Sequence, residues 1–147
     1  MTANALIKDF QDTLGKDNVL GAEADRYAYS YDSAVLEPAV PGVVVRPTNT
    51  QDLGKVEKLC NDAGVPLTVR GSGTNLSGGT IPKTGGVVAL TGALSNILEI
   101  NTEDLYARVE PGVITAKFAA AVQAKGLFYP PDPVSYTHLR AHETIAL

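Results

Sequence analysis

The sequence predicts an α+β fold in which a small parallel βαβ unit precedes the start of a mixed or antiparallel part. Val43–Val45 is a short apolar run typical of a strand buried on both faces, and a second strand is predicted over 66–69. An apolar stripe over 53–63 lies between them, with N-cap side chains at 48–50 and a terminating Gly64. This order predicts two strands that pair in parallel through a right-handed crossover.

The flanking elements follow from local patterns. A helix is predicted over 4–14, and 24–41 is expected to be irregular. A strand is predicted over 86–90, and 97–100 and 105–109 should form an antiparallel hairpin joined by four residues, 101–104. A helical stripe that includes Phe118 ends at Gly126, and a further short strand is predicted to start at 127–129.

Composition excludes several classes of protein. The 147 residues, 44% hydrophobic, suit one domain or part of a larger one. A net charge of -4 provides no basic field for binding nucleic acid, and no apolar run approaches the roughly 18–20 residues of a transmembrane segment. The single cysteine, Cys60, should be a packed small hydrophobe and suits a reducing compartment. We therefore expect a cytoplasmic protein, with peripheral membrane association through a partner left open.

The last residues differ in character from the rest. Residues 134–144 match, in one reading frame, the translation of a common transposase-type sequencing adapter. We therefore expect 134–147 to be a non-native tail, after an N-terminal helix and arm over 1–40 and a partial domain over 41–133. His138 and His142, the two histidines of the chain, both lie in this tail, so no metal site is assigned.

A glycine-rich loop follows the second strand of the βαβ unit. It consists of Arg70, Gly71, Ser72, Gly73, Thr74, Asn75, Leu76, Ser77, Gly78 and Gly79. Glycines permit positive φ and close approach of a ligand, and successive main-chain N–H groups can converge on an anion, for which a pyrophosphate is the natural candidate. The loop lacks the Gly-Lys-Ser/Thr of a P-loop and the third glycine of the Rossmann fingerprint. The alternative interpretation is a flexible surface loop.

Residues 66–79 resemble the signature of the FAD-binding domain of the vanillyl-alcohol oxidase and p-cresol methylhydroxylase type. Within that family, they are similar to the FAD-binding subunit of glycolate oxidase and to D-lactate dehydrogenases. Four further segments are similar to family elements and occur in the family's order. They are the strand 41–47 (PGVVVRP), the helix over 50–64, 109–113 (VEPGV) and 129–133 (YPPDP).

The resemblance implies an FAD cofactor whose pyrophosphate lies on Gly71 to Gly79, with Pro111 and Gly112 nearby and Pro131 and Asp132 close to the flavin. Arg70 would either pair with a phosphate or anchor the strand end. Enzymes of this branch oxidise a 2-hydroxy acid such as glycolate or D-lactate by hydride transfer to flavin. The electrons then pass to an acceptor that the sequence does not identify. Other oxidase subunits stay open as partners.

The family also implies parts that this sequence lacks. The second half of the FAD domain and the substrate-binding cap, where the catalytic residues lie, do not follow residue 133. No catalytic residue is therefore named, and the fragment alone is expected to be inactive. Two alternatives stay open, namely an FAD-linked oxidase of the same fold that acts on a sugar or lactone, and a nucleotide-binding module without redox chemistry. Tyr27, Tyr29, Tyr31 and Asp32 either pack the N-terminal arm or contact the substrate or cap.

Overall fold

The structure is a computed structural model that describes residues 3–131 and 145–146. The chain divides into two compact units, residues 1–93 and residues 94–147. Parallel and antiparallel strands occur together with helices, which confirms the α+β class. Within the described residues, no helix is long and apolar enough to cross a membrane. The predicted boundaries at residues 40 and 133 stay a prediction.

Among the described residues, the first unit contains three α-helices, a short 3₁₀ helix over Lys16–Asn18 and a four-stranded sheet. In chain order, its elements are α1 Ala3–Leu14, β1 Val19–Leu20, α2 Glu23–Tyr27, β2 Val43–Val45, α3 Thr50–Ala63, β3 Leu67–Arg70 and β4 Val87–Leu90. The strand order is β1-β2-β4-β3, in which β1 is antiparallel to β2 and the other pairs are parallel. The predicted helices and strands of the βαβ unit are therefore present.

The predicted pairing within that unit is wrong. Strands β2 and β3 do not pair with each other, because β4 lies between them and pairs with both. All four residues of β4 are buried, whereas β3 includes the half-exposed Val69. A strand whose side chains are all apolar buries the most surface when another strand pairs with it on each side. Strand β4 therefore takes the position between β2 and β3.

Both faces of the sheet are covered. Val43, Val45, Val87 and Ala89 pack with α1 and α3 through residues that include Phe10 and Cys60. On the opposite face, the buried residues Val44, Val88 and Leu90 pack against Leu20 and Tyr29. Because alternate residues of one strand face opposite sides, a strand covered on both sides is apolar at every position. Cys60 is buried, as predicted.

The ends of α3 agree with the capping signals. The side chain of Asn49 accepts a hydrogen bond of 2.8 Å from the Asp52 main-chain N–H, and Gly64 ends the helix in the left-handed region with φ 63°. Two features before β2 were not predicted. Helix α2 begins the stretch 24–41 that was expected to be irregular, and β1 is a strand of two residues, too short for an alternation pattern.

The second unit contains β5 Ile97–Asn101, β6 Tyr106–Val109, α4 Thr115–Gln123 and β7 Ile145–Ala146. Strands β5 and β6 form the predicted antiparallel hairpin, and β7 pairs antiparallel with β6. The strand predicted to start at 127–129 is wrong, because these residues belong to none of the strands of the described chain. Tyr129 is instead buried edge-on against Phe118 of α4, with ring centroids 5.0 Å apart. This aromatic contact joins the segment after α4 to the core of the second unit.

Candidate nucleotide-binding site

The glycine-rich loop begins at the carboxyl end of β3, beside the central strand β4. Arg70 is the last residue of β3, and its carbonyl accepts a hydrogen bond of 3.0 Å from the N–H of Thr91, directly after β4. The loop therefore leaves the sheet where three parallel strands present their carboxyl ends. Open α/β sheets bind ligands at this edge.

Two of the loop glycines are required by conformation and by packing. Gly73 and Gly78 are buried and have φ values of 74° and 71°, in the left-handed region that favours glycine. A Cβ atom at Gly73 would collide with the guanidinium of Arg70, and one at Gly78 would collide with the side chain of Leu36. These two glycines therefore shape the loop.

The other two glycines, Gly71 and Gly79, face open space. A Cβ atom at Gly71 would come no closer than 4.0 Å to the nearest atom, the Thr91 Oγ1, and one at Gly79 would approach Ser77 Oγ to 3.7 Å. Both residues are exposed. Because no fold contact requires glycine here, the main chain at these positions is accessible to a ligand.

The loop also has hydrogen-bond donors to offer. In the described part of the chain, the main-chain N–H groups of residues 71–79 make no hydrogen bond to another protein group. The hydroxyls of Ser72 and Thr74 lie 3.2 Å apart on the exposed side of the loop. An open loop with several unpaired N–H groups fits the phosphate oxygens of a nucleotide cofactor.

A cleft lies next to the first residues of the loop. It has a volume of about 740 Å³, and its lining includes Gly71 and Ser72 from the loop, Arg46 and Thr48 after β2, and Tyr29 from the N-terminal arm. The start of the loop therefore borders a concavity rather than a packed interior. Arg46 is exposed and adds a positive charge to the wall of the cleft.

Arg70 is held by the protein itself. The residue is 7% exposed, and its Nη1 donates to the Tyr31 carbonyl at 2.7 Å and to Thr80 Oγ1 at 3.4 Å. Its guanidinium also lies 5.7 Å from the ring centroid of Tyr29. Burial lowers the pKa of Arg70, and the nearby charge of Asp32 partly offsets this effect. These contacts are those of a strand-end anchor, and a bond from Arg70 to a phosphate stays a prediction.

Sequence reasoning missed the contacts of Asp32 with the residues of the loop. Asp32 Oδ2 accepts hydrogen bonds from Asn75 Nδ2 at 2.7 Å and from Thr80 Oγ1 at 3.1 Å. Burial raises the pKa of Asp32, but the hydrogen bonds from Ala34, Asn75 and Thr80 outweigh it and leave the pKa below its ordinary value. Asp32 was singled out only with the tyrosines around it, and no spacing in the sequence pairs it with Asn75.

The remaining predicted site residues belong to the second unit. Gly112 is buried, and its N–H donates to the Leu94 carbonyl at 2.7 Å beside the half-buried Pro111. Pro131 is exposed, whereas Asp132 lies outside the described residues, as do His138 and His142. Within the part of the chain that the structure describes, no group of three His, Cys, Asp or Glu side chains could hold a metal ion.

Residues 41–139 match the family model of the FAD binding domain. The chain belongs to this family, and FAD is its cofactor. Solved structures of the p-cresol methylhydroxylase type share the fold. One of p-cresol methylhydroxylase with bound substrate is 28% identical with a TM-score of 0.73, over 84% of this chain and 25% of that one. The 4-ethylphenol oxidase of Gulosibacter chungangensis is 30% identical with a TM-score of 0.80, over 92% and 27%.

Two curated relatives are similar in sequence. The glycolate oxidase subunit GlcD of Bacillus subtilis (strain 168) is 44% identical over 134 residues, which are 88% of this chain and 28% of that protein. The D-lactate dehydrogenase of Anaerostipes hadrus is 31% identical over 128 residues, which are 87% and 27%. The chain thus spans little more than a quarter of the length of the relatives it matches.

Proposed function

We propose that the chain is the pyrophosphate-binding part of an FAD-dependent oxidoreductase that oxidises a 2-hydroxy acid such as glycolate or D-lactate. The observation that carries the proposal is the set of main-chain N–H groups along 71–79 that have no partner among the described residues, on an open loop at the carboxyl end of parallel strands. Such donors bind a diphosphate without a cation. Bound FAD supplies the electron acceptor for removal of hydride from the substrate.

The loop residues have separate tasks in this proposal. Gly71 and Gly79 let the phosphates approach the main chain, since both are exposed and a Cβ atom at either position would make no more than ordinary van der Waals contact. Ser72, Thr74 and Ser77 add hydroxyl donors from exposed positions. Gly73 and Gly78 set the path of the loop. Pro111, Gly112, Pro131 and Asp132 stay predictions that rest on the family resemblance, as does the contact of Asn75 and Leu76 with the cofactor.

The substrate class is supported by the two curated relatives, whose names specify glycolate and D-lactate, both 2-hydroxy acids. One of these relatives is called a subunit, which supports other oxidase subunits as partners. The proposal assigns no catalytic residue to this chain. Because the chain has a single cysteine, which suits a reducing compartment, we place the protein in the cytoplasm as a proposal.

Binding specificity tests the cofactor part of the proposal. The purified protein is titrated with FAD, riboflavin, ATP and NAD, and binding is followed by flavin fluorescence and calorimetry. We expect FAD to bind at least about 100-fold more tightly than riboflavin, because riboflavin lacks the diphosphate that the loop holds. Equal affinity for FAD and ATP would instead indicate a general nucleotide-binding module.

Substrate oxidation tests the other part. The complete enzyme that contains this chain is mixed anaerobically with D-lactate, glycolate, a sugar lactone or a 4-alkylphenol, and the absorbance of oxidised flavin is recorded. A 2-hydroxy acid should bleach the flavin, and the other two classes should not. Bleaching by the lactone or the phenol alone would contradict the proposed substrate class and leave FAD binding intact.

A further inference from the structure

The arm clamp, which consists of residues 31–36 of the N-terminal arm, lies against the glycine-rich loop. The N–H and the hydroxyl of Ser33 donate to the Gly73 carbonyl at 3.1 and 3.3 Å. The Leu36 side chain packs over Gly78, where a Cβ atom would collide with it. The clamp thus contacts the two buried glycines that set the path of the loop.

Asp32 is the charged group of the arm clamp. Its Oδ1 accepts from the Ala34 N–H at 2.8 Å, within the clamp, and its Oδ2 accepts from Asn75 and Thr80, on the loop side. Thr80 Oγ1 is also 3.0 Å from Asn75 Oδ1. One carboxylate therefore ties the clamp to both the middle and the end of the loop.

The main chain of the loop donates none of the hydrogen bonds that hold this shape among the described residues. None of its own N–H groups from 71 to 79 is bonded to a protein acceptor in the described part of the chain, and four of its residues are glycines. Glycine loses more conformational freedom on ordering than any other residue. Contacts from outside the loop must offset that entropy before the N–H groups can face one ligand.

We propose that Asp32 is a positioning residue that orders the glycine-rich loop for the diphosphate of FAD, an inference that rests on the proposed function. The residue acts through Asn75 and Thr80 rather than by contact with the cofactor. Ordering the loop before binding removes that entropy cost from the binding step, and so increases affinity. Asp32 is ionised at neutral pH like any aspartate, and its hydrogen bonds lower its pKa further in spite of burial.

The sign of the effect separates this role from that of a bystander. A carboxylate near a bound diphosphate repels it, so removal of a bystander charge would strengthen FAD binding or leave it unchanged. Removal of a positioning carboxylate weakens binding although the repulsion is also removed. The positioning role therefore predicts a higher dissociation constant for FAD, and the bystander role predicts a lower or unchanged one.

The test compares Asp32→Asn with Glu37→Gln in the purified protein. Both substitutions remove one negative charge from the arm, but Glu37 is exposed and makes no hydrogen bond or ion pair within the described residues. We expect Asp32→Asn to weaken FAD binding by about tenfold, and Glu37→Gln to change it by less than about twofold. Unchanged or tighter binding by folded Asp32→Asn would overturn the inference.

A second variant tests the same hydrogen bonds independently, in case Asp32→Asn does not fold. Thr80→Val keeps the shape of the side chain and removes the hydroxyl that donates to Asp32. We expect Thr80→Val to weaken FAD binding by about threefold. In the double variant with Asp32→Asn, the loss of FAD affinity should be smaller than the product of the two separate losses, because both residues act through one hydrogen-bond network. Fully multiplicative losses would contradict the network.

A measurement without cofactor separates this inference from the proposed function. In the FAD-free protein, NMR relaxation of the amides of 71–79 should show increased motion in Asp32→Asn, while amides of β2 and β4 stay as in the unsubstituted protein. Loop amides that are unaffected would overturn the inference, whether or not FAD binds. Failure of the unsubstituted protein to bind FAD, with loop amides loosened in Asp32→Asn, would overturn the proposed function and the role in FAD binding, but not the ordering of the loop.

Discussion

Gly71 and Gly73 are two residues apart in the same loop, and their surroundings differ. Gly71 is exposed, and a Cβ atom there would meet only the Thr91 hydroxyl at 4.0 Å. Gly73 is buried, has φ 74° and lies against the guanidinium of Arg70. A glycine of the first kind is compatible with a larger side chain in the folded protein, and one of the second kind is not.

Alanine substitutions at these two positions should separate cofactor binding from folding. Gly71→Ala should change the free energy of unfolding by less than about 0.5 kcal/mol, yet weaken FAD binding by about tenfold, because its methyl group occupies the approach of a phosphate. Gly73→Ala should cost about 2 kcal/mol of stability, from the left-handed φ and the contact with Arg70.

Urea unfolding of the FAD-free protein and FAD titration measure the two effects. If Gly71→Ala were as destabilising as Gly73→Ala, the conclusion that the fold has space for a side chain at Gly71 would be wrong. If Gly71→Ala bound FAD with unchanged affinity, the phosphates would not approach the main chain at this residue. The two measurements are independent, since one is made without the cofactor.

The donor-rich loop was predictable from sequence, whereas its support was not. Four glycines and three hydroxyl residues directly after an apolar strand indicate an anion-binding turn from local chemistry alone. The bond from Asn75 to Asp32 joins residues 43 positions apart, through an arm without a regular pattern. Only the path of the chain brings them together, and no periodicity encodes that path.

At the scale of elements, Gly86 determines how closely the parallel strands approach one another. Its carbonyl accepts from the Gly42 N–H at 2.7 Å, just before β2, and the N–H of the following Val87 donates to the Pro66 carbonyl at 2.9 Å, just before β3. Gly86 has φ 81°, and a Cβ atom there would collide with the Pro66 carbonyl. The start of the central strand therefore has no space for a side chain.

Gly86→Ala should be among the most destabilising substitutions in the first unit. The left-handed φ and the collision with main-chain atoms together predict a loss of about 3 kcal/mol or more in the free energy of unfolding. Gly85→Ala is the matched control, because Gly85 has φ 73° and no atom within 4 Å of a Cβ atom. It should cost only the conformational term, about 1–2 kcal/mol.

Chemical denaturation of both variants measures the difference. Equal losses would show that the close contact with Pro66 contributes nothing beyond backbone strain. A loss of FAD affinity in Gly86→Ala at temperatures where it remains folded is not expected, because Gly86 lies at the amino end of β4, opposite to the loop end of the sheet.

The helices and strands of the βαβ unit could be predicted, whereas β1, α2 and the order of the strands in the sheet could not. The cap at Asn49 and the stop at Gly64 are local signals, and they define α3 to within a residue. The pairing of β2 with β3 was inferred from adjacency along the chain, but β4, which follows the loop, occupies the place between them. Which strand becomes central depends on competition for burial, which is a property of the whole sheet.

At the scale of the molecule, an acidic protein binds an acidic cofactor. The net charge is -4, and the only charged side chain within 70–79 is Arg70, whose Nη1 is already engaged with Tyr31 and Thr80. Attraction between opposite charges therefore contributes little to holding a diphosphate here. The affinity depends instead on neutral main-chain donors at short range, whose interactions are not screened by salt as those between exposed charges are.

FAD binding should accordingly be almost insensitive to ionic strength. Between about 50 mM and about 500 mM salt, we expect the dissociation constant to rise by less than about threefold, because screening also weakens the repulsion between the protein and the diphosphate. Arg46→Gln provides the control, since Arg46 is the exposed cation that lines the neighbouring cleft. Any remaining salt dependence should disappear in this variant. Stopped-flow flavin fluorescence measures the rate constants of FAD association and dissociation. An association rate constant that falls steeply with added salt would show that cationic side chains, and not the loop amides, bind the diphosphate.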